Sequence, residues 1–159
     1  MTALISEGRP APAFCLPGVN GARARLYRLR DCVADGPVLL AFVPGAGGPC
    51  SPTAVADALS WFALIDGVTA LVVADDHYTV HRREGSHRTG AAPILGDEDA
   101  SVGAVYGVRY GEGGVAVYLV DGSRTVRGRW RAPDFDGLDL TALKDAAKRT
   151  ATPATETHP

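Results

Sequence analysis

The sequence is poor in lysine, methionine and aromatic residues, and neither sign of charge is in large excess. Of 16 basic residues only two are lysines, Lys144 and Lys148, and 18 acidic residues leave a formal charge of −2. That balance creates no broad positive field, so neither nucleic acid nor an anionic membrane surface is expected as a partner. The preference for arginine reads as a coding bias rather than as chemistry. No uninterrupted apolar run is long enough to span a bilayer, and the start "MTALISEGRPAPAF" lacks the basic segment and apolar stretch of a secretory signal. A cytoplasmic location is therefore the expectation. The three cysteines, Cys15, Cys32 and Cys50, are odd in number and widely spaced. Such a set suits neither a disulfide framework nor a zinc cluster, so reduced thiols, no metal and no cofactor are expected.

With 46% hydrophobic residues in 159, the chain can bury one core and is too short for two ordinary domains. The patterns fall in a clear order. "APAFCLPGVNG" and "ARLYRLRD" read as a hairpin around Val-Asn-Gly, whose residues tolerate positive φ. "GPVLLAFV" is a continuous apolar run, as expected of a strand covered on both faces. In "SPTAVADALSWFALI" Val55, Leu59, Phe62 and Ile65 share a helical face, with Ser51 or Cys50 as cap and Pro52 in the first turn. "VTALVVAD" is a second buried strand, followed by a polar stretch from Asp76 to Thr89 that reads as a short helix and loop. "APILGDED" reads as a short strand leading to a helix cap, and "EDASVGAVYGV" as a helix stopped at Gly107. "GGVAVYLVDGSRTVRGRWR" gives two strands joined at Asp121-Gly122. "LDLTALKDAAKR" is a terminal amphipathic helix bearing Leu138, Leu140, Leu143, Ala146 and Ala147. The expected fold is α/β, a mixed central sheet flanked by helices with an N-terminal β-hairpin extension. One domain over residues 1–149 is followed by a disordered tail over 150–159.

Cys50 is the residue of chemical interest. A thiol with a pKa of about 8.5 is only a few per cent ionised at neutral pH, and the thiolate is the nucleophile. A helix amino terminus favours the anion, and Cys50 begins the "SPTAVADAL" helix. Gly45, Gly47 and Gly48 allow close backbone approach to a ligand, while Pro44 and Pro49 stiffen the loop and shield the sulfur. The competing reading is a small buried filler at a loop–helix junction. Cys15 and Cys32 read as packing residues. His77 and His81, four apart after Asp75 and Asp76, read as a solvated helix face in preference to a metal site. Arg127, Arg129 and Arg131 read as a solvent-facing edge that resists aggregation, and "GEGG" at 111 to 114 as a flexible turn.

"APAFCLPGVNG", the apolar strand, "VPGAGGPCS", "VVAD", "PILGDED", "YGV" and "VYLVDG" resemble, in order and spacing, the peroxiredoxin (AhpC/TSA) family of the thioredoxin-like superfamily, over roughly residues 8 to 149. The resemblance implies a thioredoxin-like sandwich and a peroxidatic cysteine at Cys50, with Pro44, Gly47, Gly48 and Pro49 around the substrate. It also marks two departures. The loop from Pro44 to Cys50 is one residue shorter than in the family and carries glycine where a peroxide-binding threonine is expected. Val115 stands where the family places an arginine beside the thiolate, and Arg109 is a nearby candidate substitute. The loop is similar too to a thioredoxin Cys-Gly-Pro-Cys motif, read as Gly47-Gly48-Pro49-Cys50, which lacks the attacking cysteine.

The function implied is a thiol peroxidase that reduces a small hydroperoxide through Cys50 and is recycled by an external thiol, with a homodimer left open. Two alternatives stand beside it. One is a catalytically degenerate thioredoxin-fold protein that acts as a binding module or is recruited to another reaction. The other is a thiol-disulfide oxidoreductase with a thiol substrate.

Overall fold

The computed structural model describes residues 4–20, 23–45, 52, 54–56, 58–59, 68–76, 92–112 and 114–151. Its centre is β3 (Val38–Val43), buried at all six positions. This strand pairs in parallel with β4 (Thr69–Ala74), and β4 pairs in parallel with the short β5 (Ile94–Gly96). On the other side of β3 runs β6 (Val115–Val120), antiparallel, followed by the antiparallel edge strand β7 (Val126–Ala132). The hairpin of β1 (Cys15–Asn20) and β2 (Arg23–Arg28) joins the sheet through β1 against β5, also antiparallel. The seven strands lie in the order β2-β1-β5-β4-β3-β6-β7.

The unbroken apolar runs follow from coverage on both faces. Leu39, Ala41 and Val43 of β3 face one cluster, closed by Val55, Ala56 and Leu59 and by Leu143, Ala146 and Ala147 of the C-terminal helix Leu140–Ala151. Val38, Leu40 and Phe42 face the other, made with Phe14, Leu29, Tyr106, Tyr110 and Tyr118. Each fully buried leucine or phenylalanine here contributes about 1.5–3 kcal/mol relative to an exposed one. Residues 52, 54–56, 58 and 59 are helical, with Pro52 buried.

Several local expectations change. The β6–β7 connection is not a tight turn at Asp121-Gly122. It runs from Asp121 to Thr125, and the left-handed residue is Arg124, at φ 63°. The Asp121 carboxylate makes that geometry stable by accepting from the Ser123 and Thr125 N–H groups at 2.9 and 3.0 Å, so a side chain does what glycine would do in a two-residue turn. The helix after β5 is shorter than "EDASVGAVYGV", covering Ser101–Val105 and giving way to Gly107 at φ 75°. Leu138 is buried but precedes the C-terminal helix. Cys15, expected to pack, is exposed, because it stands at the start of β1 where one side is open to solvent. Phe62, Ile65, the polar stretch 77–89 and residues 152–159 lie outside the described residues.

Candidate functional site

Because β3 and β4 are parallel neighbours, Val43 pairs with Ala74 and the segments leaving both strands emerge side by side. The first of these begins with Pro44 and Gly45, the start of the glycine-rich loop, and the second is Asp75-Asp76. Gly45 N–H donates to the Asp75 carboxylate at 2.8 Å. A Cβ at position 45 would collide with the Asp76 side chain, so any larger residue there would have to displace it. Gly45 is thus tied to the segment that leaves β4. The carboxyl ends of parallel strands are where open α/β sheets gather ligands.

Buried Pro44 borders a cavity of about 670 Å³. Phe42 and Pro44 come from the end of β3, Val115 and Ala116 from the start of β6, and Arg131 and Ala132 from the end of β7; residues 108–110, Glu112, Gly114 and Pro133 complete it. The walls are largely apolar, with Arg109, Glu112 and Arg131 as the charged residues at its surface. Small-molecule sites commonly have this character, an apolar body with a few placed polar groups.

The segment over the cavity is held from beneath by Asp97, which is fully buried. Its carboxylate accepts from Val102 N–H at 3.1 Å, Gly103 N–H at 2.7 Å and the Tyr110 hydroxyl at 2.9 Å, and its own N–H donates to the Ala74 carbonyl at 2.7 Å. An isolated buried carboxylate would be costly, and these donors offset that cost while tying the segment to the end of β4. Gly103 allows the arrangement, since a Cβ there would lie 2.7 Å from the Tyr110 ring. Burial, together with the Asp97 charge, pushes the Tyr110 phenol far above its ordinary pKa, so it stays a neutral donor.

Arg131 is fixed by a hydrogen bond from Nη2 to the Gly107 carbonyl at 3.1 Å. Its neighbours on the same strand are engaged too. Arg127 pairs with Asp121 at 2.6 Å, and Arg129 donates to the Leu4 carbonyl at 3.0 Å. The arginine row therefore does lie on an exposed edge strand, but its guanidinium groups are wired to the fold, and one of them lines the cavity. Arg109 is exposed and also borders the cavity. Val115 is buried in the wall and leaves apolar surface at that point. The described residues of "GEGG" have defined structure: Tyr110–Glu112 forms a 3-10 turn and Gly114 adopts φ 83°, where a Cβ would lie 2.8 Å from the Ala132 carbonyl.

Of the expected site residues, Pro44 is placed at the cavity, whereas Gly47, Gly48, Pro49 and Cys50 lie outside the described residues, as do His77 and His81. Asp75 and Asp76 lie against Gly45. Among the described residues there is no cluster of His, Cys, Asp or Glu that could hold a metal ion, and no helix long and apolar enough to cross a membrane. The Cys32 thiol is half-buried and its pKa is pushed up, chiefly by burial, with Asp31 and Asp35 adding to the shift and Arg25 opposing it. That disfavours its thiolate. Sequence reasoning missed Asp97 as the organiser of the 101–110 segment and Arg131 as a cavity residue. The first was half visible in "LGDED", read as a cap; the second had no local signal, since only strand pairing sets it beside β6.

The AhpC/TSA family model matches residues 8–129. The chain belongs to the AhpC/TSA family. Solved structures agree on the fold. The mitochondrial 2-Cys peroxiredoxin of Plasmodium falciparum superposes with a TM-score of 0.75 at 14% identity, covering 97% of this chain and 99% of that one. AhpC of Mycobacterium tuberculosis gives 0.74 at 14% identity, with 98% and 95% covered. The peroxidoxin BcpB of the same organism gives 0.70 at 23% identity, with 93% and 97% covered. Comparison with curated proteins gives no match. This AhpC/TSA chain thus has the thioredoxin-like architecture of peroxiredoxins, and the expected fold class stands.

Proposed function

We propose that this AhpC/TSA chain is a thiol peroxidase that reduces hydroperoxides through Cys50 and is recycled by an external thiol. The observation that supports the reading best is the cavity at the carboxyl end of β3, into whose wall Pro44 is built just where the chain departs toward Cys50. The Cys50 thiolate attacks the distal peroxide oxygen; the O–O bond breaks, the leaving alkoxide takes up a proton, and the sulfur becomes a sulfenic acid. One external thiol condenses with it, releasing water, and a second attacks the external sulfur of the mixed disulfide, leaving as the external disulfide and returning Cys50 as a thiol. Gly47, Gly48 and Pro49 contribute the backbone around the substrate. Exposed Cys15 and half-buried Cys32 are left out of this cycle.

Mass spectrometry after brief peroxide treatment should show sulfenic acid at Cys50, and Cys50→Ser should lose peroxide consumption by at least a hundredfold. Equal rates for parent and variant would refute the reading. Val115, which presents apolar surface in the cavity wall, favours a second reading, a degenerate binding module. That reading requires a Cys50 thiol with ordinary reactivity, and thiolate-like alkylation near pH 6 would count against it.

A further inference from the structure

We infer that β2 is a docking strand whose open edge takes an acidic, extended segment of a partner protein as a further strand of the sheet, with carboxylates facing Arg23, Arg25 and Arg28. The inference stands apart from the reading of Cys50. The sheet has two edges, β2 and β7, and the fold treats them differently. Along β7 the N-terminal segment supplies cover: Gly8 N–H donates to the Val126 carbonyl at 2.8 Å, and Val126 N–H donates to the Arg9 carbonyl at 2.9 Å. Among the described residues no backbone group reaches the outer side of β2, and every position of that strand except Tyr27 is exposed. An uncovered edge is a row of unmet donors and acceptors with which another strand can pair. The ladder with β1 shows which residues carry them. Leu29 N–H donates to the Phe14 carbonyl at 3.3 Å, and in an antiparallel pair such bonded positions alternate with positions whose polar groups point away. Arg25 and Tyr27 therefore bond inward, whereas Ala24, Leu26 and Arg28 turn their backbone groups outward. Pro17 stands opposite Leu26, where an inward bond would need an N–H that proline lacks.

Charge selects the occupant. Residues 15–28 carry Arg23, Arg25 and Arg28 and no acidic residue. Among the described residues none of the three forms an ion pair, and Arg25 rests 4.5 Å over the Tyr27 ring, which steadies its guanidinium without neutralising it. A second copy laid along the same edge would set arginines against arginines, and like charges across a ladder repel. An acidic strand meets opposite charge at the same positions. The charges that keep β2 from pairing with itself thus specify what it accepts. Side chains alternate along a strand, so Arg23 and Arg25 share one face, while Ala24, Leu26 and Arg28 share the other. Leu26, 56% exposed, offers an apolar contact on that second face. The fitting segment alternates carboxylate and apolar side chains.

The test titrates the full nitrogen-labelled chain, at low ionic strength, with an end-capped peptide of sequence Glu-Val-Glu-Val-Glu-Val-Glu and follows amide chemical shifts. Shifts should concentrate on β2, and saturation should weaken as salt is added. The same peptide with every amide N-methylated keeps its carboxylates but cannot donate to a ladder, and it should bind at least about tenfold more weakly. Reversing two charges, Arg23→Glu with Arg25→Glu, should weaken the acidic peptide by about tenfold or more and admit a peptide with lysine in place of glutamate. Leu26→Pro removes one outward N–H, a change that edge strands tolerate, and should also weaken binding while the circular dichroism spectrum stays that of the parent. Binding of the N-methylated peptide as tight as that of the parent peptide would reduce the site to charge attraction and overturn the inference. So would the absence of shifts on β2, or binding indifferent to the double charge reversal. A parent dimer in sedimentation that the double reversal or Leu26→Pro dissolves would assign the edge to a second copy and overturn it as well.

Discussion

The two hairpins of the sheet are built from similar material and end up doing different things. In β1–β2, the outer strand is exposed at every position but Tyr27, and Leu26 stands 56% exposed. In β6–β7, the inner strand is buried at all six positions and the outer one alternates. Both outer strands carry arginines at alternate positions, Arg23 and Arg25 on β2 and Arg127, Arg129 and Arg131 on β7. On β2 the described contact is Arg25 lying 4.5 Å over the Tyr27 ring. On β7 a carboxylate and three backbone carbonyls receive the guanidinium groups. The difference is one of placement. β6 sits against the central strand β3, so its partner strand is carried to the cavity, whereas β1 meets the sheet only through three-residue β5. An arginine row on an edge strand is a solubility device or part of a site according to what its neighbour strand packs on.

The largest test of this contrast replaces one leucine in each hairpin. Leu119→Ala, at a fully buried β6 position, should cost about 2–5 kcal/mol through lost burial and a residual cavity. Leu26→Ala on β2 should stay within about 0.5 kcal/mol. Chemical denaturation of both variants measures the pair, and equal losses would break the comparison.

A finer test uses two glycines of similar backbone geometry. Gly114 leads into β6 at φ 83° and has the Ala132 carbonyl where a Cβ would go, while Gly8 has φ 87° and open space around it. Gly8→Ala should cost about 1–2 kcal/mol from the left-handed backbone alone. Gly114→Ala should cost more and should also perturb the cavity, of which Gly114 is part. Thermal unfolding of the two variants side by side gives the difference, which vanishes if β7 can yield at Ala132.

The smallest effect concerns the β6–β7 connection. Burial works against the Asp121 carboxylate, but hydrogen bonds from Thr125, Ser123 and Arg127 outweigh it and hold its pKa below the ordinary value. A carboxylate whose folded pKa is depressed stabilises the fold above the unfolded value of about 3.9, and that stability is lost as pH falls through the folded value. Stability of the parent should therefore decline more steeply below about pH 4 than that of Asp121→Asn, whose starting stability is lower. Parallel pH curves would show that the turn does not depend on the ionised carboxylate.

Much of the fold was legible because burial on both faces writes itself as unbroken apolar runs. "VLLAFV", "TALVVA" and "VAVYLV" are strands β3, β4 and β6 with boundaries close to those read from the pattern. The end of β3 at Pro44 was legible because Pro-Gly after a buried strand marks the strand's exit; that Pro44 lines a cavity was not. The turn at Asp121 was misread because Asp-Gly is a strong two-residue signal, and only the side-chain hydrogen bonds reveal that the left-handed residue comes two positions after Gly122, at Arg124. Cys15 was misread because alternation reports a face and not whether that face is covered at the strand's end.

By itself the sequence determined the positions of the buried strands β3, β4 and β6 and the exit of β3 at Pro44-Gly45, because these depend on local pattern and residue chemistry. The tertiary structure alone decided that Asp75 holds Gly45, that Asp97 supports Tyr110, and that Arg131 shares a cavity with Pro44. Those residues are separated by 30, 13 and 87 positions. Strand pairing and burial bring them together, and no local pattern encodes which distant groups will meet when the sheet closes its two faces.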